Sequence, residues 1–161
     1  MDRFSDGFPS RRRKLTCGGR TQRMITKLVN ILTQVVNDPA LQPKPDGTTY
    51  CNIAVHKVGK VMGFNKFEGM LANQIAEYCK NMVIRINELN TIINFSKEGR
   101  WILAVYAEHP HGHVASIFPH DSECSGSWKK DVPFVANVGK HNGIMKASKA
   151  FLKEPEYYLV T

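Results

Sequence analysis

The chain has 161 residues, 42% hydrophobic and 22% charged, a size that builds one ordinary globular core without disulfide or metal staples. No apolar run is long enough to cross a membrane, which excludes a spanning helix. Twenty-two Lys and Arg against fourteen Asp and Glu leave a formal charge of +8, so the expected partner is polyanionic: nucleic acid, an anionic membrane surface or an anionic cell-wall polymer.

Residues 1–20 are polar, Gly- and Arg-rich and without periodicity, and read as a flexible basic N-terminal arm; residues 21–161 read as a single domain. Arg11-Arg12-Arg13-Lys14 runs into Leu15-Thr16-Cys17-Gly18-Gly19 and not into an apolar stretch, so no signal peptide is expected. The chain is therefore expected to be made in the cytoplasm and to reach any extracellular target by release or delivery. From Thr21, Met24, Ile25, Leu28, Val29, Ile31, Leu32, Val35 and Val36 recur at helical spacing, and Asn37-Asp38-Pro39 ends the pattern. Pro39 to Gly47 is an extended connector. A second helix follows, with Thr48 or Thr49 as N-cap, a stripe of Cys51, Ala54, Val55, Val58, Val61 and Met62, and Gly63 closing it.

A third helix is expected over 66–82, with Cys79 in its apolar face. Residues 83–95 fit either helix or strand, and helix fits better. Past the Glu98-Gly99 turn the texture becomes β, with strands expected over 101–107, 112–118 and 132–138 joined by turn-rich links. The fold class is thus α+β, N-terminal helices packed on a small antiparallel sheet.

Cys51 stands where a thiol becomes reactive. Free backbone N–H groups and the positive end of the helix dipole favour a thiolate at the first turn, so a lowered pKa is expected there. The alternative is a small apolar residue on the buried stripe. His113 comes early in one strand and Asn137 at the end of the next. A cysteine on a helix, a histidine on a strand and an amide beside it can perform nucleophilic acyl chemistry. The sulfur attacks a carbonyl, the imidazole takes and later returns the proton, and the third residue holds the imidazole tautomer.

Tyr50-Cys51-Asn52 opening a helix, followed by Gly112-His113-Val114-Ala115, resembles the CHAP and NlpC-type amidases, papain-like cysteine enzymes that cut amide bonds of peptidoglycan. The likeness spans residues 46–138. A tail with Val132-Pro133-Phe134-Val135-Ala136-Asn137-Val138-Gly139, Asn142-Gly143, Ser148, Ala150-Phe151 and Tyr157-Tyr158 resembles endolysin-like members of the same group. The resemblance implies a papain-like fold, Cys51 as nucleophile, His113 as base and Asn137 as orienting residue. Asn142, Asp131 and Glu123 remain open for that third role. It also implies a peptidoglycan amidase or endopeptidase of the endolysin or delivered-toxin kind, acting as a monomer. The Asp-Cys opening common among NlpC-type enzymes is replaced here by Tyr50-Cys51, and His109-Pro110-His111 is unlike most members.

Thr49, Tyr50, His111 and Trp128 are the candidate substrate-binding residues. Tyr50 and Trp128 offer rings to a glycan, His111 offers a surface imidazole, and the Cys51 N–H is one oxyanion donor, with Thr49 and Tyr50 candidates for the second. Trp101, inside an apolar strand, reads as core. His113 alone could be a satisfied strand histidine, and Asn137 alone a turn residue. A rival constellation, His109, His111, His113, His120 and Cys124, has zinc-ligand chemistry but no matching spacing, so no metal or other cofactor is expected. Cys17, Cys51, Cys79 and Cys124 contain no C-x-x-C pair and no disulfide framework, which fits synthesis in a reducing compartment. Two other functions stay open: a non-enzymatic nucleic-acid-binding domain, favoured by the charge, and a protease or acyltransferase acting on proteins. The wall-hydrolase reading requires no nucleic acid.

Overall fold

The computed structural model describes residues 17–161, and the basic run at 11–14 lies outside them. The first helix, α1, spans Cys17–Asn37, so residues 17–20, read as arm, are helical. Its stripe Leu28, Ile31, Leu32, Val35 and Val36 is buried. Asp38 stops the helix: its carboxylate accepts from the Ala40 N–H at 2.8 Å and opens a single 3₁₀ turn, Pro39–Leu41. The same carboxylate pairs with Lys57 at 2.6 Å, tying the end of α1 to the next helix.

That helix, α2, spans Cys51–Met62 and ends at Gly63, whose φ of 82° is the left-handed C-cap the glycine was expected to supply. Its N-cap is Tyr50 and no side chain caps it, which corrects the expectation of Thr48 or Thr49. Asp46 explains the difference, because its side chain takes the Thr48 N–H at 2.9 Å and closes the Asp-Gly turn one step earlier. The stripe is buried except for Val61, which is 37% exposed.

The third helix, α3, spans Ala72–Met82 and not 66–82. Phe67 is nevertheless fully buried, inside an aromatic cluster with Phe64, Tyr78 and Trp101. Burial pushes the Cys79 thiol up to about 12, so it stays a protonated core residue, as expected. Residues 83–95 divide: β1 spans Ile84–Ile86, and α4 spans Leu89–Lys97. The helix reading holds for the second part only.

The expected strands form as β2 (Ile102–Tyr106), β3 (His113–Ser125) and β4 (Lys130–Asn137). Four elements were not read from the sequence: the 3₁₀ turn Pro39–Leu41, which lies inside the stretch read as an extended connector, β5 (Gly143–Lys146), the short α5 (Ala147–Ala150) and β6 (Glu156–Leu159). All pairings are antiparallel, in the order β1-β6-β2-β3-β4-β5. The fold is α+β, but the sheet is covered on both faces. Alternation along β2 sends Leu103 and Val105 to a cluster with α1, α2 and α3, and Ile102 and Ala104 to a cluster with α4 and α5. Among the described residues, no helix is long and apolar enough to cross a membrane.

Candidate active site

Cys51 is the first residue of α2 and is 7% exposed. Its sulfur is approached by the backbone N–H of Val114, together with those of Asn52 and of Cys51 itself. The Val114 N–H belongs to the peptide that joins it to His113, so the thiol lies against the first link of β3. Burial is the dominant influence and raises the thiol above its ordinary pKa, while the three amides act the other way. The lowered pKa expected from a helix N-terminus is thus corrected, because desolvating an anion outweighs the nearby dipoles.

His113 opens β3 and is half-buried. Its Nε2 lies 2.7 Å from Asn137 Oδ1, and its ring packs on Phe151 with centroids 4.8 Å apart. The orientation of the Asn137 amide follows from its other contact. Asn137 Nδ2 donates to the His141 carbonyl at 2.7 Å, which only the NH₂ end can do, so the oxygen faces the imidazole. Nε2 therefore carries the hydrogen and donates it, leaving the lone pair on Nδ1 free to accept a proton. Burial lowers the pKa of His113, and the bond to Asn137 opposes that shift. The imidazole is neutral at neutral pH.

No protein-family model matches the chain, and no curated protein matches it.

Asn137, the last residue of β4, is 4% exposed and satisfied at both ends of its amide. Gly139 keeps room for the pair: a β-carbon there would come within 3.2 Å of His113 Cε1 and 3.4 Å of Asn137 Nδ2. Asn142, one of the alternatives for the third role, serves elsewhere. Its Oδ1 accepts from Gly139 N and its Nδ2 donates to Leu41 O, both at 2.9 Å, fastening the loop after Asn137 to the 3₁₀ turn. Asp131 is exposed, and Glu123 is paired with Lys146 at 3.1 Å. Among the described residues, no hydrogen bond joins the Cys51 thiol to the His113 ring.

Thr49 and Tyr50 are half-buried and lead directly into Cys51. Lys44 holds its ammonium 5.7 Å from the Tyr50 ring centroid, and the pKa of Lys44 is raised by that neighbour. His111 is exposed in the loop between β2 and β3, after a cis His109–Pro110 bond. Trp128 is not brought to the thiol. It sits half-buried in the β3–β4 turn, packed on the cluster across the sheet from Cys51, with its backbone N–H donated to Ser125 Oγ at 3.2 Å.

The histidines of the zinc alternative are dispersed in role. His120 Nδ1 lies 2.8 Å from the Asp121 carbonyl and its ring packs on Phe134, while Cys124 is exposed. Among the described residues, no group of three or more His, Cys, Asp or Glu side chains is placed to hold a metal ion. Sequence reasoning missed the Val114 amide, the Phe151 ring beside His113 and the Asn142 fastening. A main-chain donor carries no residue-type signal, and the other two depend on loops whose course is set by distant contacts.

Proposed function

We propose that this chain is a papain-like cysteine hydrolase that cleaves an amide bond of peptidoglycan. The observation that carries the proposal is the Cys51 thiol at a helix N-terminus, against the His113–Val114 peptide, with His113 held by a buried Asn137. In this reading His113 Nδ1 takes the thiol proton as the sulfur attacks the amide carbonyl. The oxyanion develops at the start of α2, where the first N–H groups of a helix have no intrahelical partner and the dipole is positive. The imidazolium then protonates the departing amine, leaving a thioester on Cys51. Water, deprotonated by the same imidazole, releases the carboxylate product and restores the thiol.

The wall substrate is supported by the likeness of Tyr50-Cys51-Asn52 and Gly112-His113-Val114-Ala115 to the CHAP and NlpC-type amidases, and by the net charge of +8. Lys44 beside Tyr50 offers a cation to the carboxylates of a peptide stem. Such an enzyme meets its substrate after release from, or delivery to, a bacterial cell, in the manner of an endolysin or a wall-degrading toxin. The test is mass spectrometry of peptidoglycan incubated with the protein under reducing conditions, with and without a chelator. New amide-cleaved fragments, equally abundant in both, are expected. No cleavage across several wall chemotypes would refute the substrate and turn attention to protein amides.

The two partner residues should differ in weight. His113→Ala is expected to lower kcat/KM by about 10²–10⁴-fold, the range of a lost general base. Asn137→Ala leaves the base in place and removes only its orientation, so its loss should be smaller in the same fragment assay. The reverse order would move the orienting role to another residue.

A further inference from the structure

The thiol and the imidazole arrive on different elements, and one short segment is hydrogen-bonded both to the helix that carries the thiol and to the loop that leads into the strand of the imidazole. Asn52, next to the nucleophile, donates Nδ2 to the Met70 carbonyl at 2.9 Å. Residues 70–73 then turn into α3, and the Leu71 N–H is fixed on Gln74 Oε1 at 2.8 Å. Asn73 reaches across to the loop that precedes His113. Its Nδ2 donates to Glu108 O at 2.9 Å and its Oδ1 accepts from Glu108 N at 3.3 Å, so one amide engages both main-chain groups of one residue. Gly112, the residue before His113, lies directly on that amide: a β-carbon at 112 would collide with Asn73 Oδ1 and come within 2.6 Å of Tyr106 O.

We infer that segment 70–73 is a brace that sets the position of His113 relative to Cys51, with Asn52 and Asn73 as positioning residues. The inference rests on the cysteine-hydrolase reading of the two groups. Asn73 and Glu108 lie at the surface, half-buried and exposed, so these bonds do not serve to satisfy a buried core. They join elements distant in sequence: position 52 to 70, and 73 to 108. Asn137 fixes which way the imidazole faces, whereas Asn73 fixes where the strand carrying it begins. A displacement of about 1 Å between reacting groups costs up to about 10²-fold in rate, so a brace of this kind acts on turnover more than on binding.

The groups around the reacting pair are few. Asn137, Phe151 and Gly139 surround the imidazole, and the amides of Asn52 and Val114 reach the sulfur. Glu108, His109 and His111 are the exposed titratable groups of the preceding loop. Burial and Asn137 account for the resolved influences on His113, and burial and backbone amides for those on Cys51.

The test is the pH dependence of Cys51 alkylation by iodoacetamide, followed by peptide mass mapping so that Cys51 is read apart from the other thiols. It needs no wall substrate. In the wild type, alkylation is expected to set in where the imidazole is neutral and can take the thiol proton, at a lower pH than a buried thiol of raised pKa would react unaided. Asn73→Ala should move the onset upward and lower kcat on peptidoglycan by about 10- to 100-fold with KM changed little. Asn73→Asp, which keeps the acceptor and the shape but loses the donor to Glu108 O, should shift the onset the same way and guards against simple misfolding.

In a His113→Ala background the Asn73 substitution should be silent, since a residue acting through the imidazole has nothing left to position. An unchanged onset in both Asn73 variants overturns the inference, as does an equal further shift in the His113→Ala background. If His113→Ala itself leaves the wild-type onset unmoved, the pairing of thiol and imidazole fails and the brace fails with it. An onset that shifts in the Asn73 variants, without wall cleavage by the wild type, sinks the substrate reading alone and upholds the brace.

Discussion

Replacing Cys51 with alanine is expected to abolish amide cleavage, by about 10⁵-fold or more, the scale on which removal of a serine nucleophile acts in a hydrolase. The fold should survive, because the substitution removes one sulfur from a residue already packed as a small apolar side chain. The expected cost is about 1 kcal/mol, within the ordinary range for a single substitution. Fragment analysis of peptidoglycan and a thermal melt of the same sample separate the two effects. A folded Cys51→Ala protein with full activity would remove the nucleophile assignment altogether. The wild type also has a signed pH dependence. Burial lowers the pKa of His113, so its neutral, proton-accepting form persists below the ordinary histidine value. The acid limb of kcat/KM is therefore expected below that value, and a limb above it would show that a different group titrates.

The largest effect on stability is expected at Trp101. Its side chain is fully buried, edge-on to Phe64 and Phe67 with centroids 6.1 and 6.0 Å away, and its Nε1 donates to Ser116 Oγ at 2.9 Å. The backbone of α2 closes over it at Gly59, where a β-carbon would meet the indole at 3.2 Å and the Phe64 carbonyl at 2.5 Å. Trp101→Ala should cost about 3–5 kcal/mol for the lost ring and its cavity. A further contribution of about 1–3 kcal/mol comes from the Ser116 hydroxyl, which is 2% exposed and loses its indole partner. Against a total stability of about 5–15 kcal/mol this is enough to leave much of the chain unfolded. Trp101→Phe keeps most of the apolar area and should cost far less. Denaturant midpoints decide the matter: a loss under about 1 kcal/mol for the alanine variant would show that the neighbours refill the space.

Some of this structure was legible in the chain. Helices α1 and α2 were readable because their apolar residues recur every three or four positions, and Gly63 closes α2 where a left-handed residue is needed. Strands β2, β3 and β4 were readable from β-rich runs between turn residues, and the core placement of Trp101 and Cys79 followed from the faces they occupy. Cys51, His113 and Asn137 could be chosen as candidates because each role demands a residue type, and the types occurred at the right kind of position.

What the chain could not show is what depends on distant partners. Residues 84–86 become a strand only because residues 157–159 come to lie beside them, more than seventy positions later, and β6 then inserts between β1 and β2. A three-residue segment has too little periodicity to declare that pairing in advance. The same holds for the chemistry. Whether the amides at a helix start lower the thiol pKa is decided by how deeply the thiol is covered, and the coverage of Cys51 comes from the packing of α2 on β3. Which end of the Asn137 amide faces His113 is decided by the carbonyl of His141, a loop residue. Periodicity and residue type are properties of neighbouring residues, so the sequence alone determines the longer, periodic elements and the candidates. Desolvation, strand partnership and hydrogen-bond direction are properties of what packs on top, and only the tertiary structure decides them.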